Sequence, residues 1–445
     1  MPVFLLHSMQ VNRPGPTRIF RWDPDFSLLT DETGRPVVPL DDDVPAWAGP
    51  PRVSRETPGG KGGIRKLKIQ MGLSCNFACT YCSQRFVPHA EATAARDLEP
   101  FLQQLPVWFH QGDGAGVVIE LWGGEPLAYW KVLRPLGEAL RERYPAVQLR
   151  IITNGSLMDA EKVEWLDRLG FIVGISHDGP GQHIRGPDPL ADPPVREAIL
   201  DLYRRLRPAQ RVSFNACISR GNQSRAAIQR FFQQLTGDQD VPIGEGELID
   251  AYDAGGLASS LPAGEAIAYR RQYLAELRGG IGRNFQTPGH KMARLREAIH
   301  QGRPTAVLGQ KCGMDRPDNL AVDLKGNVIT CQNVSAVAKA PNGEGHRIGH
   351  VSDLPAVKLT TATHWSFRPD CSQCPVLPLC LGSCMFLEGE LFRASCDNAY
   401  SDNAVLLAAT VEWITGFLPV RIDHPSLPPT RQWLWQAPPK ETVDV

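Results

Sequence analysis

The chain reads as an α/β protein, a partial (β/α)6 barrel of the TIM type followed by a cysteine-rich C-terminal domain. Two observations predict this. From Ile64 to about His300, short β-type runs alternate with longer segments of helical period, the pattern of repeated βα units around a parallel sheet. After Pro304 cysteine, glycine and proline become frequent and helical periodicity fades until Asn403, as in a segment held by metal sites more than by an apolar core.

The strands expected are 67–72, 117–122, 149–153, 171–176, 212–218 and 245–250, with helices at about 94–110, 133–143, 159–169, 195–206 and 224–235 between them. Such a set makes an open barrel, since eight strands are needed to close one. Residues 1–63 form an N-terminal extension with short alternating runs at 17–22 and 27–30, 64–303 the barrel, and 304–402 the cysteine-rich domain. Residues 403–445 supply an amphipathic helix at about 403–416 and a tail carrying Trp433 and Trp435.

Composition narrows the function. The 445 residues are 42% hydrophobic and 21% charged, which is enough to bury a large core, and the net charge of -1 offers no basic field for nucleic acid. No basic segment followed by an apolar stretch opens the chain, and the longest apolar run, 405–420, is broken by Glu412. A cytoplasmic protein without a membrane partner is expected. Eleven cysteines in short clustered spacings favour metal ligation in a reducing compartment over disulfides.

The stretch CNFACTYC puts Cys75, Cys79 and Cys82 directly after the first strand, at the barrel end where active sites gather. Three thiolates fill three corners of a four-iron cluster and leave one iron open. A structural zinc would want a fourth close ligand, and His89 lies outside the usual spacing. The second strand ends in WGGEP, where Gly123 and Gly124 let a ligand approach the backbone and the Glu125 carboxylate can receive a cationic amine. The third ends in Thr153, Asn154 and Gly155, and the fourth in Ser176, His177, Asp178 and Gly179, which offer a hydroxyl and a carboxylate to ribose hydroxyls or an ammonium. Each motif alone is most often a turn; together they place four polar strand ends on one rim.

CNFACTYC followed by WGGEP resembles the radical S-adenosylmethionine (radical SAM) superfamily. The resemblance implies that Cys75, Cys79 and Cys82 ligate a [4Fe–4S] cluster whose fourth iron S-adenosyl-L-methionine chelates, with Tyr81 near the adenine. It implies that Gly123, Gly124 and Glu125 meet the methionine amine and that Asn154, Ser176 and Asp178 contact polar groups of the ligand. Asn215 and Asn222 are further candidates, Asn215 being equally readable as a core amide.

The later cysteines resemble the SPASM domain, which binds two auxiliary [4Fe–4S] clusters. Carried over, Cys312, Cys331 and Cys384 would hold the nearer cluster, and Cys371, Cys374, Cys380 and Cys396 the outer one. Two zinc sites with one outside ligand are the alternative. A hairpin turning at Lys325-Gly326 would bring Cys312 and Cys331 together, while Cys217, in the strand VSFNACI, reads as a small buried hydrophobe rather than a ligand. The nearer cluster would then keep an open iron.

Both resemblances, covering about residues 64–400, imply a maturase that uses a 5'-deoxyadenosyl radical to oxidise a side chain of a ribosomal peptide or protein, forming a thioether or carbon–carbon cross-link. Partners would be the peptide or protein substrate, a reductase such as flavodoxin or ferredoxin, and a separate peptide-recognition protein unless the extension serves. Formylglycine formation on sulfatases is the alternative reaction, but Gln332 stands where those relatives carry an Asp. A zinc or iron regulatory module without catalysis is the alternative of another class. As proton acceptors or substrate contacts, His177, His183, Arg185, Glu247, Asp250, Tyr252 and His364 are candidates, each also readable as structural.

Overall fold

The computed structural model describes residues 2–10, 17–41, 46–50, 52–91, 93–360 and 363–437. The chain opens with β1 (Phe4–Met9), β2 (Arg18–Asp23) and β3 (Leu28–Thr30), then β4 (Gly59–Gly60). Six parallel strands follow: β5 (Lys66–Gln70), β6 (Val118–Trp122), β7 (Gln148–Thr153), β8 (Ile172–Ser176), β9 (Val212–Ile218) and β10 (Ile243–Leu248). These are side by side in sequence order, as βα repeats require. β5 is buried at four consecutive residues, Leu67 to Gln70, because a parallel barrel strand is covered on both faces.

The connecting helices lie where amphipathic period put them, at 130–143, 160–168, 193–206 and 225–236. Asp159 and Ser224 cap two of them by accepting the Lys162 and Ala227 amides, and Gly237 ends the last in the left-handed conformation. The helix expected over 94–110 is broken into short turns at 95–97, 98–102 and 105–108, with Pro106 entering the first turn of the last. Helices at 266–278 and 286–301 lacked a clean sequence pattern. The first of them buries Arg270 and Glu276 among Tyr269, Tyr273 and Leu274, which interrupts the apolar stripe.

β11 (Asn319–Asp323) pairs in parallel with the free side of β5, and β12 (Asn327–Ile329) and β13 (Arg347–His350) extend the sheet antiparallel. The expected hairpin is present: Asp323 accepts the Lys325 and Asn327 amides, and Gly326 turns at φ 82°. The cysteine-rich segment thus grows out of the barrel sheet. β14 (Lys358–Leu359) closes a small ladder with β4.

One helix, 389–415, replaces the shorter one expected at 403–416. It buries Ser395, Asn398, Ser401, Asp402 and Asn403, so polar residues disguise its inner face. β15 (Leu418–Asp423) then pairs with β1, and the order β15-β1-β2-β3 joins both ends of the chain in one sheet. Trp22 of β2 is fully buried and donates its indole N–H to Pro375 O at 2.8 Å, seating that sheet on the cysteine-rich segment. No helix among the described residues is long and apolar enough to cross a membrane.

A buried ion pair fastens the long helix to the barrel. Arg225 Nη2 lies 2.8 Å from Asp402 Oδ1, both side chains excluded from solvent, while Asp402 Oδ2 accepts the Leu248 amide at 2.6 Å at the end of β10. Arg225 also donates to Gly246 O at 2.8 Å and packs over the Tyr273 ring at 3.6 Å. Removing one member strands the other charge. Asp402→Ala is therefore expected to lower stability by about 3–5 kcal/mol, read as a lower urea midpoint by circular dichroism; an unchanged midpoint would refute the role given to the pair.

Candidate active site

A cavity of about 730 Å³ opens at the C-terminal ends of the parallel strands. Cys75, Cys79 and Cys82 line it, on a loop that leaves β5 through Gly72. That loop is tied down by backbone. Gly124 N donates to Gly72 O at 3.0 Å, Glu125 N to Ser74 O at 3.1 Å, and Ser74 N to the Tyr129 hydroxyl at 2.8 Å. A Cβ on Gly124 would stand 2.4 Å from the carbonyl oxygens of Leu73 and Ser74, and one on Gly123 2.8 Å from Gly72 O. The sequence reading ascribed both glycines to close approach of a ligand; the structure adds a second cause, since without them the cysteine loop could not lie against the end of β6.

Glu125 lines the same cavity, and three donors fix it: Thr153 Oγ1 at 2.7 Å and Leu127 N at 2.9 Å on one oxygen, Asn154 N at 2.7 Å on the other. Burial raises its pKa above the ordinary carboxylate value against those three hydrogen bonds. Asn154 and Ser176 also line the cavity; Asn154 Nδ2 donates to Asn76 Oδ1 at 2.9 Å, on the cysteine loop.

Asp178 does not line the cavity. It is fully buried behind the loop, where it accepts the Tyr81 hydroxyl, the Cys217 amide at 2.9 Å and Arg185 Nη1 at 3.4 Å. A carboxylate so occupied holds Tyr81 in place and is withdrawn from direct ligand contact. Asn222 donates to Asp178 O at 2.9 Å, and Asn215 fills the space over Gly174 and Gly244 on the two flanking strands; neither lines the cavity. His177 accepts the Gly179 amide and meets Asp188 at 3.0 Å, and His364 lies beside Asp315, so both are structural.

Two cavity residues gained importance over the sequence reading. Arg185 places a buried guanidinium beside the cysteines, and its Nε has no partner among the described residues. Cys217 faces this cavity rather than the core, because on β9 it falls on the inward side of the alternation. Its charge acts on Tyr81 and Arg185, which places it on the side of Cys79.

Residues 69–221 match the family model of the radical SAM superfamily. The chain carries a radical SAM domain. Its fold is similar to native anSMEcpe with bound AdoMet, at 17% identity and a TM-score of 0.57 over 79% of this chain and 99% of that one. It is similar too to native anSMEcpe with bound AdoMet and Cp18Cys peptide, with a TM-score of 0.55, 17% identity and the same coverage. More distant is Streptococcus suis SuiB bound to precursor peptide SuiA, at 14% identity and a TM-score of 0.47 over 74% of this chain and 76% of that one. No curated protein matches in sequence.

A radical SAM domain implies a [4Fe–4S] cluster and S-adenosylmethionine, and the residues present fit both. Three thiols line the cavity, and Cys75 and Cys82 both oppose ionisation of Cys79. Burial pushes the Cys79 thiol up to about 11, so binding of metal there must displace the thiol proton. The unpartnered Arg185 Nε and the fixed Glu125 carboxylate give a zwitterionic amino acid one group of each sign.

The remaining cysteines fall into two sets by the same criterion. Charge on Cys312 and Cys331 opposes ionisation of Cys384, whereas Cys371 and Cys374 feel Cys380 and Cys396. The second set of four lines a small cavity of its own. All eleven cysteines are outside disulfides, and among the described residues no three His, Cys, Asp or Glu side chains are close enough to bind a single ion.

Glu247, Asp250 and Lys311 give the cavity a charged wall. Glu247 pairs with Lys291 and, at 3.8 Å, with Lys311; Asp250 meets Lys311 at 3.4 Å and accepts Ser383 Oγ at 2.6 Å. Burial opposes the Glu247 charge, yet the two lysines hold its carboxyl down at about 2. Lys311 precedes Cys312 and Ser383 precedes Cys384, which ties the wall to the set of Cys312, Cys331 and Cys384.

Gly124→Ala should leave the far-UV circular dichroism near wild type but remove most iron from the radical SAM site. Iron retained in full, with an unchanged cluster absorption, would show that the loop accommodates the extra carbon.

Proposed function

We propose that the protein is a peptide or protein maturase that oxidises a substrate side chain by radical chemistry and forms a thioether or carbon–carbon cross-link. The observation that carries this reading is the grouping of ten cysteines as three, three and four: Cys75, Cys79 and Cys82 line the large cavity, Cys371, Cys374, Cys380 and Cys396 line a small one, and Cys312 and Cys331 act on Cys384. Groups of four, and of three with an open position, suit three [4Fe–4S] clusters. The likeness to a fold that holds AdoMet with a bound peptide agrees with it.

When bound, the cluster and S-adenosylmethionine supply a 5'-deoxyadenosyl radical that takes a hydrogen atom from an unactivated carbon. Cys75, Cys79 and Cys82 hold the cluster; Glu125 holds the ligand's ammonium and Arg185 its carboxylate, while Gly123, Gly124, Asn154 and Ser176 shape the rest of the pocket. Tyr81 is kept in place by Asp178. Cross-linking removes two hydrogens, one as the abstracted atom and one as a proton and an electron. Asp250 takes the proton: it lines the cavity, and Lys311 and Ser383 orient its carboxylate. Cys312, Cys331 and Cys384, and Cys371, Cys374, Cys380 and Cys396, would hold two auxiliary clusters able to accept the electron and pass it to an external carrier of the ferredoxin or flavodoxin kind.

Formylglycine formation is the weaker reaction, because the amide of Gln332 follows Cys331 and an amide is no base. Anaerobically reconstituted protein with dithionite should release 5'-deoxyadenosine from S-adenosylmethionine, and Cys79→Ala should abolish this. A fully reconstituted sample that releases none defeats the reading.

Asp250→Asn should still cleave S-adenosylmethionine at a rate near wild type. Its yield of peptide lighter by two hydrogens should fall about 10²-fold by mass spectrometry. Equal yields would remove Asp250 from the mechanism.

A further inference from the structure

The outer cysteine set is covered by a segment that the proposed function leaves without a role. After β15 the chain continues past Pro428 and packs on the N-terminal part of the 389–415 helix. Arg270 donates to Thr430 O at 3.1 Å and to Trp433 O at 3.3 Å, Tyr400 donates its hydroxyl to Arg431 O, and Leu434 N bonds Val420 O at 3.2 Å. These bonds fix the backbone on both sides of Arg431. Its side chain is largely withdrawn from solvent, with 18% exposure. The guanidinium packs 5.0 Å from the centre of the Tyr400 ring, and Nη2 donates to Cys396 Sγ at 3.4 Å and to Asp397 Oδ1 at 2.6 Å.

A second arginine approaches the same thiols from the opposite chain segment. Arg368 is buried, packs 4.0 Å over Phe392 and gives Nη2 to Met385 O and Leu387 O at 3.2 and 2.8 Å. Its Nε is buried with no partner among the described residues, and Cys371, Cys384 and Cys396 are the thiols whose charge it feels. Four cysteines in one small cavity, with one cation bonded to a sulfur and another holding an unsatisfied donor, are the donor set of an anionic cluster.

We propose that Arg431 of the C-terminal tail sets the reduction potential of the group held by Cys371, Cys374, Cys380 and Cys396, making it the better electron acceptor. The inference rests on the proposed auxiliary cluster at these cysteines. Adding an electron raises the negative charge of a thiolate-ligated cluster, and a hydrogen-bonded guanidinium at 3.4 Å from one sulfur stabilises the reduced form more than the oxidised one. Asp397 works against this, because it shares the same Nη2 and carries a negative charge beside Cys396. The tail is thus a charged cover over the electron's exit.

The test is a redox titration followed by electron paramagnetic resonance, with iron counted in every sample. Cys396→Ala identifies the relevant signal by removing it together with one cluster's iron. In Arg431→Gln that signal should shift to lower potential while the other two stay. At the poise where wild type is half reduced, the reduced-to-oxidised ratio should fall about tenfold. Asp397→Asn should shift the same signal upward, and Arg431→Lys should recover part of the loss. An unchanged potential in Arg431→Gln with all iron in place overturns the inference; if that variant loses iron, an unchanged potential in Asp397→Asn does so. Cys396→Ala that retains full iron overturns the cluster assignment at these cysteines, and with it the inference, while leaving the radical SAM site untouched.

Discussion

Buried thiols resist ionisation, and thiols held near one another resist it further. Burial drives Cys79 and Cys312 up to about 11 and Cys371 to about 12, and in each case neighbouring cysteines add to the shift. At neutral pH such thiols keep their protons, and only something cationic that replaces those protons makes several adjacent thiolates stable. Any metal that binds such thiols must displace their protons. What the polypeptide must supply by itself is convergence of segments far apart in sequence. It does so by hanging β11 on the free side of β5, which carries Cys312 and Cys331 to the barrel, and by fastening the helix of Cys396 to β10 through Arg225 and Asp402.

This explains which parts were legible beforehand. The radical SAM loop is local: three cysteines within eight residues, directly after a strand, expose their purpose in the sequence. So do the six barrel strands, because short β-type runs alternate with segments of helical period through the barrel. The allocation of seven later cysteines was visible only through resemblance; four of them, Cys371, Cys374, Cys380 and Cys396, line one small cavity. Asp178 misled because a carboxylate at a strand end looks the same whether it faces a ligand or the back of a loop. Gly123 and Gly124 misled in part: the space they keep open is filled by the chain's own backbone.

Long-range partners left no mark in the pattern. Lys311 reads as a residue before a cysteine, yet it lies between Glu247 and Asp250. Arg431 sits in a proline-rich tail with no motif, and β1 and β15 are too far apart for their pairing to be inferred. The 389–415 helix shows the same failure. Its inner face carries Ser395, Asn398 and Asp402 because each meets a backbone group of the loop or strand beside it: Ser395 accepts the Ala251 amide, Asn398 donates to Ile249 O, and Asp402 accepts the Leu248 amide. Polar burial of this kind is satisfied only by the tertiary fold, so periodicity could not reveal it.

The two ends of the molecule's chemistry are consequently unequal in kind. At the radical SAM cavity the carboxylates are fixed before any ligand arrives, Glu125 by three donors and Glu247 by two lysines, while Arg185 keeps an unpartnered Nε among the described residues. Preorganised charge of this sort needs no rearrangement when a zwitterion binds or a proton leaves. At the outer cysteines the arrangement has cationic donors in excess: Arg368 keeps an unsatisfied N–H, and Arg431 divides itself between a thiol and a carboxylate. An excess of donors around four thiols suits a centre whose negative charge rises by one each time it accepts an electron. The cavity thus carries ion-paired carboxylates on one side, while the outer cysteines lie under two arginines.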